Sequence, residues 1–284
     1  MQWMRAPSLS VALPQERQLI PHQRVRAACA ATFKKVGDQT KLDRLYQQGS
    51  AKMRFPRQYG GPLEAVLINT AGGLTGGDRL DWTIKLGVGT NAVVTTQACE
   101  KAYKSSGGVA NVTTSIDLGE ESSLHWLPQE TILYDGSALA RRMDVTLSRT
   151  ASLLAVECIQ LGRGAMGETI NTLSFHERWR IVRDGKLLFA DDLRLYGREN
   201  STAKLGENRA FASLVLIAPG DYEQHHLLVS RLRRICSAPL SGFSAFEGKI
   251  TGRILAPDSY FLRQALVSVL DAICGCELPR VWRI

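Results

Sequence analysis

The sequence predicts a mainly β protein: stacked, β-helix-like sheets with about two α-helices near the C-terminus. Three observations carry this. From about residue 24 to 240, short apolar or alternating runs are broken by polar and Gly-rich turns. A strand–turn–strand unit recurs at "KLGVGTNAVVTT", "DLGEESSLHWLP" and "LSRTASLLAVEC", with Thr90, Glu121 and Thr150 in similar places, 31 and 29 residues apart. Helical periodicity appears only late in the chain. Hairpins evenly spaced in an ordinary sandwich give the same rhythm, so both β architectures stay open.

Residues 1–20 read as a loosely held tail, and 21–284 as a single β-rich domain. "EAVLIN" is a strand, and "RLDWTIKL" alternates strictly with period 2, which marks a half-buried strand. The loop between them, "NTAGGLTGGDRL", has Gly72 and Gly77 at P-loop separation. Asp78 stands where a P-loop needs Lys, and a strand follows where a nucleotide cradle needs a helix. The loop is therefore a turn whose glycines supply positive φ or close backbone approach. "ANVTTSIDLG" and "RRMDVTLSRT" alternate as strands. "SFHERWRIVRDGKLLFADDLRL" is a hairpin whose Asp184-Gly185 pair suits a type I′ turn. "DYEQHHLLVSRLRRIC" sets Leu228, Leu232 and Ile235 on one helical face. "PDSYFLRQALVSVLDAICG" sets Leu262, Ala265, Leu266, Val269 and Ile273 in a stripe, with Asp258 or Ser259 to start it and Gly275 to end it.

No apolar run approaches the ~18 residues of a membrane span, and the first residues lack a secretory signal, so the expected compartment is the cytoplasm. Six dispersed cysteines fit reduced thiols there. The net charge of +8 comes entirely from residues 1–60, which hold eleven Lys and Arg against three Asp and Glu. A basic third can meet nucleic acid or an acidic protein. No helix-turn-helix, finger or RNP pattern accompanies it.

The chemistry-bearing stretches are acid-bearing loops. "HWLPQETILYDG" gathers His125, Gln129, Glu130, Tyr134 and Asp135. "TTQACEKAYKS" holds Glu100, and "LGRGAMGE" ends in Glu168. Such side chains can ligate a hard or borderline ion, or can be ordinary turn residues. His225 and His226 are adjacent and point about 100° apart on a helix, so they do not grip one metal. Cys274 and Cys276 lack the further ligands of a structural zinc site. GxSxG and HExxH are absent. Trp82, Trp126 and Trp179 read as core. A Glu/His hydrolase and a nucleic-acid-binding β protein stay as alternatives on residues alone.

The stretches "DRLYQQGSAKMRFPR", "EAVLINTAGGLTGGDRL", "TTQACEKAYKS", "HWLPQETILYDGSALARR", "GRGAMGE", "GRILAPDSYFLRQAL" and "LPRVWRI" run in order over about 85% of the chain. Together they resemble the UreD (UreH) family of urease accessory proteins. Cys99 departs from the small residue expected there. The resemblance implies a β-rich, non-catalytic protein that joins UreF and the GTPase UreG, in an accessory complex that can form higher oligomers. That complex docks on apo-urease and delivers nickel to its dinuclear site, with no tightly bound cofactor and no nucleic-acid or membrane partner. A transient Ni²⁺ path wants weak oxygen ligands rather than a Cys/His cage. Asp78, Glu100, Glu130, Asp135 and Glu168 are its expected lining. Leu262, Leu266 and Val269 of the last helix, with Pro279, Arg280 and Trp282 of the tail, are the expected surface toward UreF.

Overall fold

Strands stack here because each strand–turn–strand unit has one apolar face and cannot bury it alone. The computed structural model describes residues 23–57, 60–197 and 203–283; the expected tail at 1–20 lies outside them. Four successive units coil into a β-solenoid. Each gives one strand to a first sheet: β5 (Arg79–Leu86), β8 (Ala110–Leu118), β11 (Ser137–Leu147) and β13 (Leu173–Arg183). Each also gives one to a second sheet: β4 (Leu63–Asn69), β6 (Asn91–Thr96), β9 (Ser123–Leu127) and β12 (Ser152–Leu161). Neighbours within each set pair in parallel. Two short strands, β7 (Glu100–Ala102) and β10 (Thr131–Leu133), pair in parallel on a third side.

The remaining strands finish the sheets. In the first sheet β1 (Arg26–Val36) lies parallel to β5, β2 (Gln39–Gln48) forms one edge, and β14 (Lys186–Tyr196) the other. β13 and β14 form the expected hairpin: Arg183 pairs with Lys186, and Asp184 and Gly185 have φ of 49° and 76°, as a type I′ turn requires. The second sheet is extended by β3 (Ala51–Arg54) at one side. At the other lie β15 (Ala210–Ile217), β17 (Lys249–Ala256) and β16 (Leu240–Phe246), all antiparallel.

The repeat is real, and its register is one residue from the expected one. Asn91, Ser123 and Ser152 pair across the sheet, so Thr90, Ser122 and Ala151 are equivalent. Thr90 and Ser122 each donate a hydroxyl to the carbonyl three residues back, Gly87 and Gly119, at 2.7 Å. Glu121 is equivalent to Gly89, and both have positive φ, 57° and 64°.

One core lies between the two sheets, with Trp82, Trp126 and Trp179 in it. A second lies between the outer face of the second sheet and two helices, α1 (Tyr222–Ile235) and α2 (Ser259–Cys274). Asp221 and Gln224 form a capping box on α1. Asp258 caps α2, and Gly275 ends it at φ 60°.

Candidate functional site

The acid-bearing loops lie at the end of the solenoid away from the repeated corners, where their carboxylates first serve the backbone. Asp78 is 3% exposed and accepts from Val25 N and Thr75 N, both at 2.8 Å. It thereby fixes the Gly loop to the start of β1. The glycines answer to contact as well as to φ: a Cβ on Gly76 would sit 1.9 Å from Ser105 Oγ and 2.5 Å from two carbonyl oxygens. Asp135 accepts from Asn171 N (2.7 Å) and Thr172 N (2.8 Å), and these bonds hold its carboxyl below the usual range. Burial works against the charge of Glu168, but Arg163 and the N–H groups of Arg163 and Asp135 outweigh it and lower its pKa. Asp78, Asp135 and Glu168 are therefore loop braces, and none of the three lines the cavity between the sheets.

Glu100 does line one. A cavity of about 600 Å³ lies between the sheets and reaches the surface beside exposed Gly72, Gln97 and Ala98. Trp82, Thr114, Met143 and Trp179 wall it from the first sheet, and Leu67, Trp126 and Glu157 from the second. Burial raises the pKa of Glu100, although Asn69 Nδ2 (3.2 and 3.3 Å) and Lys101 N (3.2 Å) donate to it. Glu130 is 4% exposed and has turned from the cavity to Arg263, whose Nε and Nη2 reach it at 3.1 and 2.7 Å. Its neighbours Gln129 and Thr131 do line the space.

Deeper in, Arg141 lies between two carboxylates. It bonds Glu157 at 2.9 Å, Glu177 through Nη2, and Thr131 Oγ1 at 2.9 Å. Trp126 Nε1 donates to Glu157 at 2.8 Å. Burial opposes the charge on Arg141, but the two carboxylates outweigh it. Burial lifts Glu157, against the pull of Arg141 and helped by Glu177. With both carboxylates ionised the trio carries one negative charge inside a mostly apolar wall. This trio was missed from sequence. The signal was present: Glu177 stands in register with buried Phe175, Trp179 and Ile181, and Glu157 sits in a strand that is buried at every position after Ser152.

Among the described residues, no three or more His, Cys, Asp or Glu side chains are grouped to hold a metal ion. All six cysteines are free thiols. Burial pushes Cys99 up to about 11, with the Glu130 carboxylate adding to it. The cavity thus offers oxygen ligands already hydrogen-bonded to the protein, and no cage.

The expected partner stripe is core. Leu262, Leu266 and Val269 are fully buried against the second sheet, and Pro279 and Trp282 are buried too; only Arg280 of the six is exposed. A 16-residue helix laid on a sheet must give its apolar stripe to that sheet. The outward face of α2 carries Tyr260 and Phe261 instead, 64% and 52% exposed.

Residues 25–283 match the family model described as UreD urease accessory protein. The chain belongs to the UreD family of urease accessory proteins. It is 46% identical over 250 residues to a urease accessory protein UreD of Rhizobium leguminosarum bv. viciae, covering 86% of this chain and 90% of that one. A UreD of Agrobacterium fabrum is 41% identical over 273 residues, 94% of each chain. The family serves urease maturation and is non-catalytic, which removes the hydrolase alternative. No helix among the described residues is long and apolar enough to cross a membrane.

Proposed function

We propose that this chain is the scaffold of a urease-maturation complex, joining UreF and the GTPase UreG, docking on apo-urease, and passing Ni²⁺ through the inter-sheet cavity. Nickel is cargo here, and a cargo path must replace part of the ion's hydration without trapping it. The observation that carries the reading is the cavity itself: open to solvent, about 600 Å³, with Glu100, Glu157 and Glu177 on its wall. Carboxylates already engaged by Asn69 or Arg141 are weak, exchangeable ligands, unlike a Cys/His cage. Six free thiols fit a reducing, cytoplasmic setting. Toward UreF, the outer face of α2 with Tyr260 and Phe261, and the exposed Arg280, take the place of the buried stripe.

Glu100→Gln tests the path, since it keeps size and hydrogen bonding but removes the charge. In co-expression with the accessory proteins and urease, nickel per urease and urease activity should fall several-fold. The accessory complex should still co-elute on size exclusion. Unchanged nickel loading would remove Glu100 from the path.

A further inference from the structure

One guanidinium ties the helical layer to the cavity wall. Gln129 and Glu130 are chain neighbours, and Gln129 lines the cavity while Glu130 meets α2. Arg263 grips both, with Nη2 on Gln129 Oε1 and the Nε/Nη2 edge on the Glu130 carboxylate. Its third nitrogen, Nη1, donates to Val281 O at 3.0 Å, and the guanidinium lies 5.4 Å from the Trp282 ring. Trp282 Nε1 returns to the same wall, donating to Leu127 O at 3.0 Å. The turn Arg280–Trp282 and the wall segment 127–131 are therefore one hydrogen-bonded unit. It extends to the cavity mouth: Glu100 N donates to Glu130 O (3.0 Å), and Cys99 Sγ to Glu130 Oε2 (3.3 Å).

The planar fork explains the choice of residue. Five N–H groups in one plane can serve a carboxylate, an amide and a carbonyl together; an ammonium offers no such fork. The far side of the turn is open, where Arg280 is exposed and Arg283 pairs with Asp271 at 2.9 Å. We infer that Arg263 is a positioning residue, a clasp that holds the C-terminal turn to the wall segment and so fixes access to the cavity. This rests on the passage reading for its purpose, but its geometry can be tested apart from nickel.

Cys99 lines the cavity and reports on the mouth, while Cys29 and Cys158, each 1% exposed, report on global opening. The full chain is treated with iodoacetamide and each thiol followed by peptide mass spectrometry. Arg263→Lys keeps the charge and loses the fork. Trp282→Phe keeps the packing and loses the bond to Leu127 O, so a folding defect in one variant leaves the other informative. Both retain Glu130, so its carboxylate stays beside the Cys99 thiol. Cys99 labelling should rise roughly tenfold in each, with Cys29 and Cys158 unchanged, as local opening requires. Labelling that is unchanged, or that rises equally at all three thiols, overturns the clasp. The same variants are then scored for nickel loading of urease. Selective opening upholds the clasp whatever the loading, while the passage reading stands or falls on Glu100→Gln.

Discussion

At the scale of single residues, the acids divide by what they bond. Asp78 gives both oxygens to backbone N–H groups, so Asp78→Ala orphans two half-buried donors. That should cost about 1–3 kcal/mol, read as a lower denaturation midpoint, because donors shielded from water and left unmet cost more than a hydrogen bond yields. A variant as stable as the parent would mean another acceptor moves in. Glu100 has the opposite economy. Burial holds its folded pKa above the unfolded value of about 4.3. The unfolded chain then loses this proton first, so stability falls as pH rises through that interval and stays lower above it. Glu100→Gln should therefore be more stable than the parent at pH 7, with the difference closing near pH 4, while nickel delivery suffers. Thermal melts across pH 4–8 check the sign. Sequence showed the acids but not this division, because a brace and a cavity wall both place a carboxylate at or near a strand end. The trio of Arg141, Glu157 and Glu177 was harder still, since its members sit on three strands that meet only when the solenoid stacks.

At the scale of elements, alternation and caps were legible because they are local. Period 2 located the strands, Asp184-Gly185 the hairpin, and Asp258 with Gly275 the last helix. The repeat was legible, with its register misplaced by one, because hydroxyl and backbone bonds at the corners, not residue identity, define equivalence. Which face of α2 meets a partner was not legible, since an apolar stripe packs on a sheet or on another protein by the same rule. The corner yields a prediction of its own. Glu121 holds φ 57° where the preceding unit has Gly89, and a side chain there carries a steric cost. Glu121→Gly should stabilise by about 0.5–1 kcal/mol, the relief exceeding the added chain entropy. A chemical-denaturation series measures it, and a destabilised variant would show that the Glu121 side chain contributes more than its strain costs.

At the scale of the molecule, two cores do different work. The helical layer and the outer face of the second sheet are close-packed, while the inter-sheet core is interrupted by a cavity. Left dry, about 600 Å³ would cost on the order of 14 kcal/mol at the usual penalty per unit volume, as much as a whole domain's stability. The space must therefore be hydrated, and its buried charges have the same requirement. A hydrated cavity between the sheets is a standing cost that close packing would have removed, so filling it separates stability from function. Thr114 is the test position: it faces the cavity from the middle of the first sheet, paired with Trp82 and Met143 on either side. Thr114→Phe buries a ring worth roughly 1.5–3 kcal/mol against a similar packing strain, so the midpoint should stay within about 1 kcal/mol of the parent. The accessory complex should assemble as before, because no exposed residue changes. Nickel per urease should nevertheless fall toward the level seen without this chain. Full loading by a stable Thr114→Phe protein would mean that nickel travels along the surface, and that the cavity serves some other end.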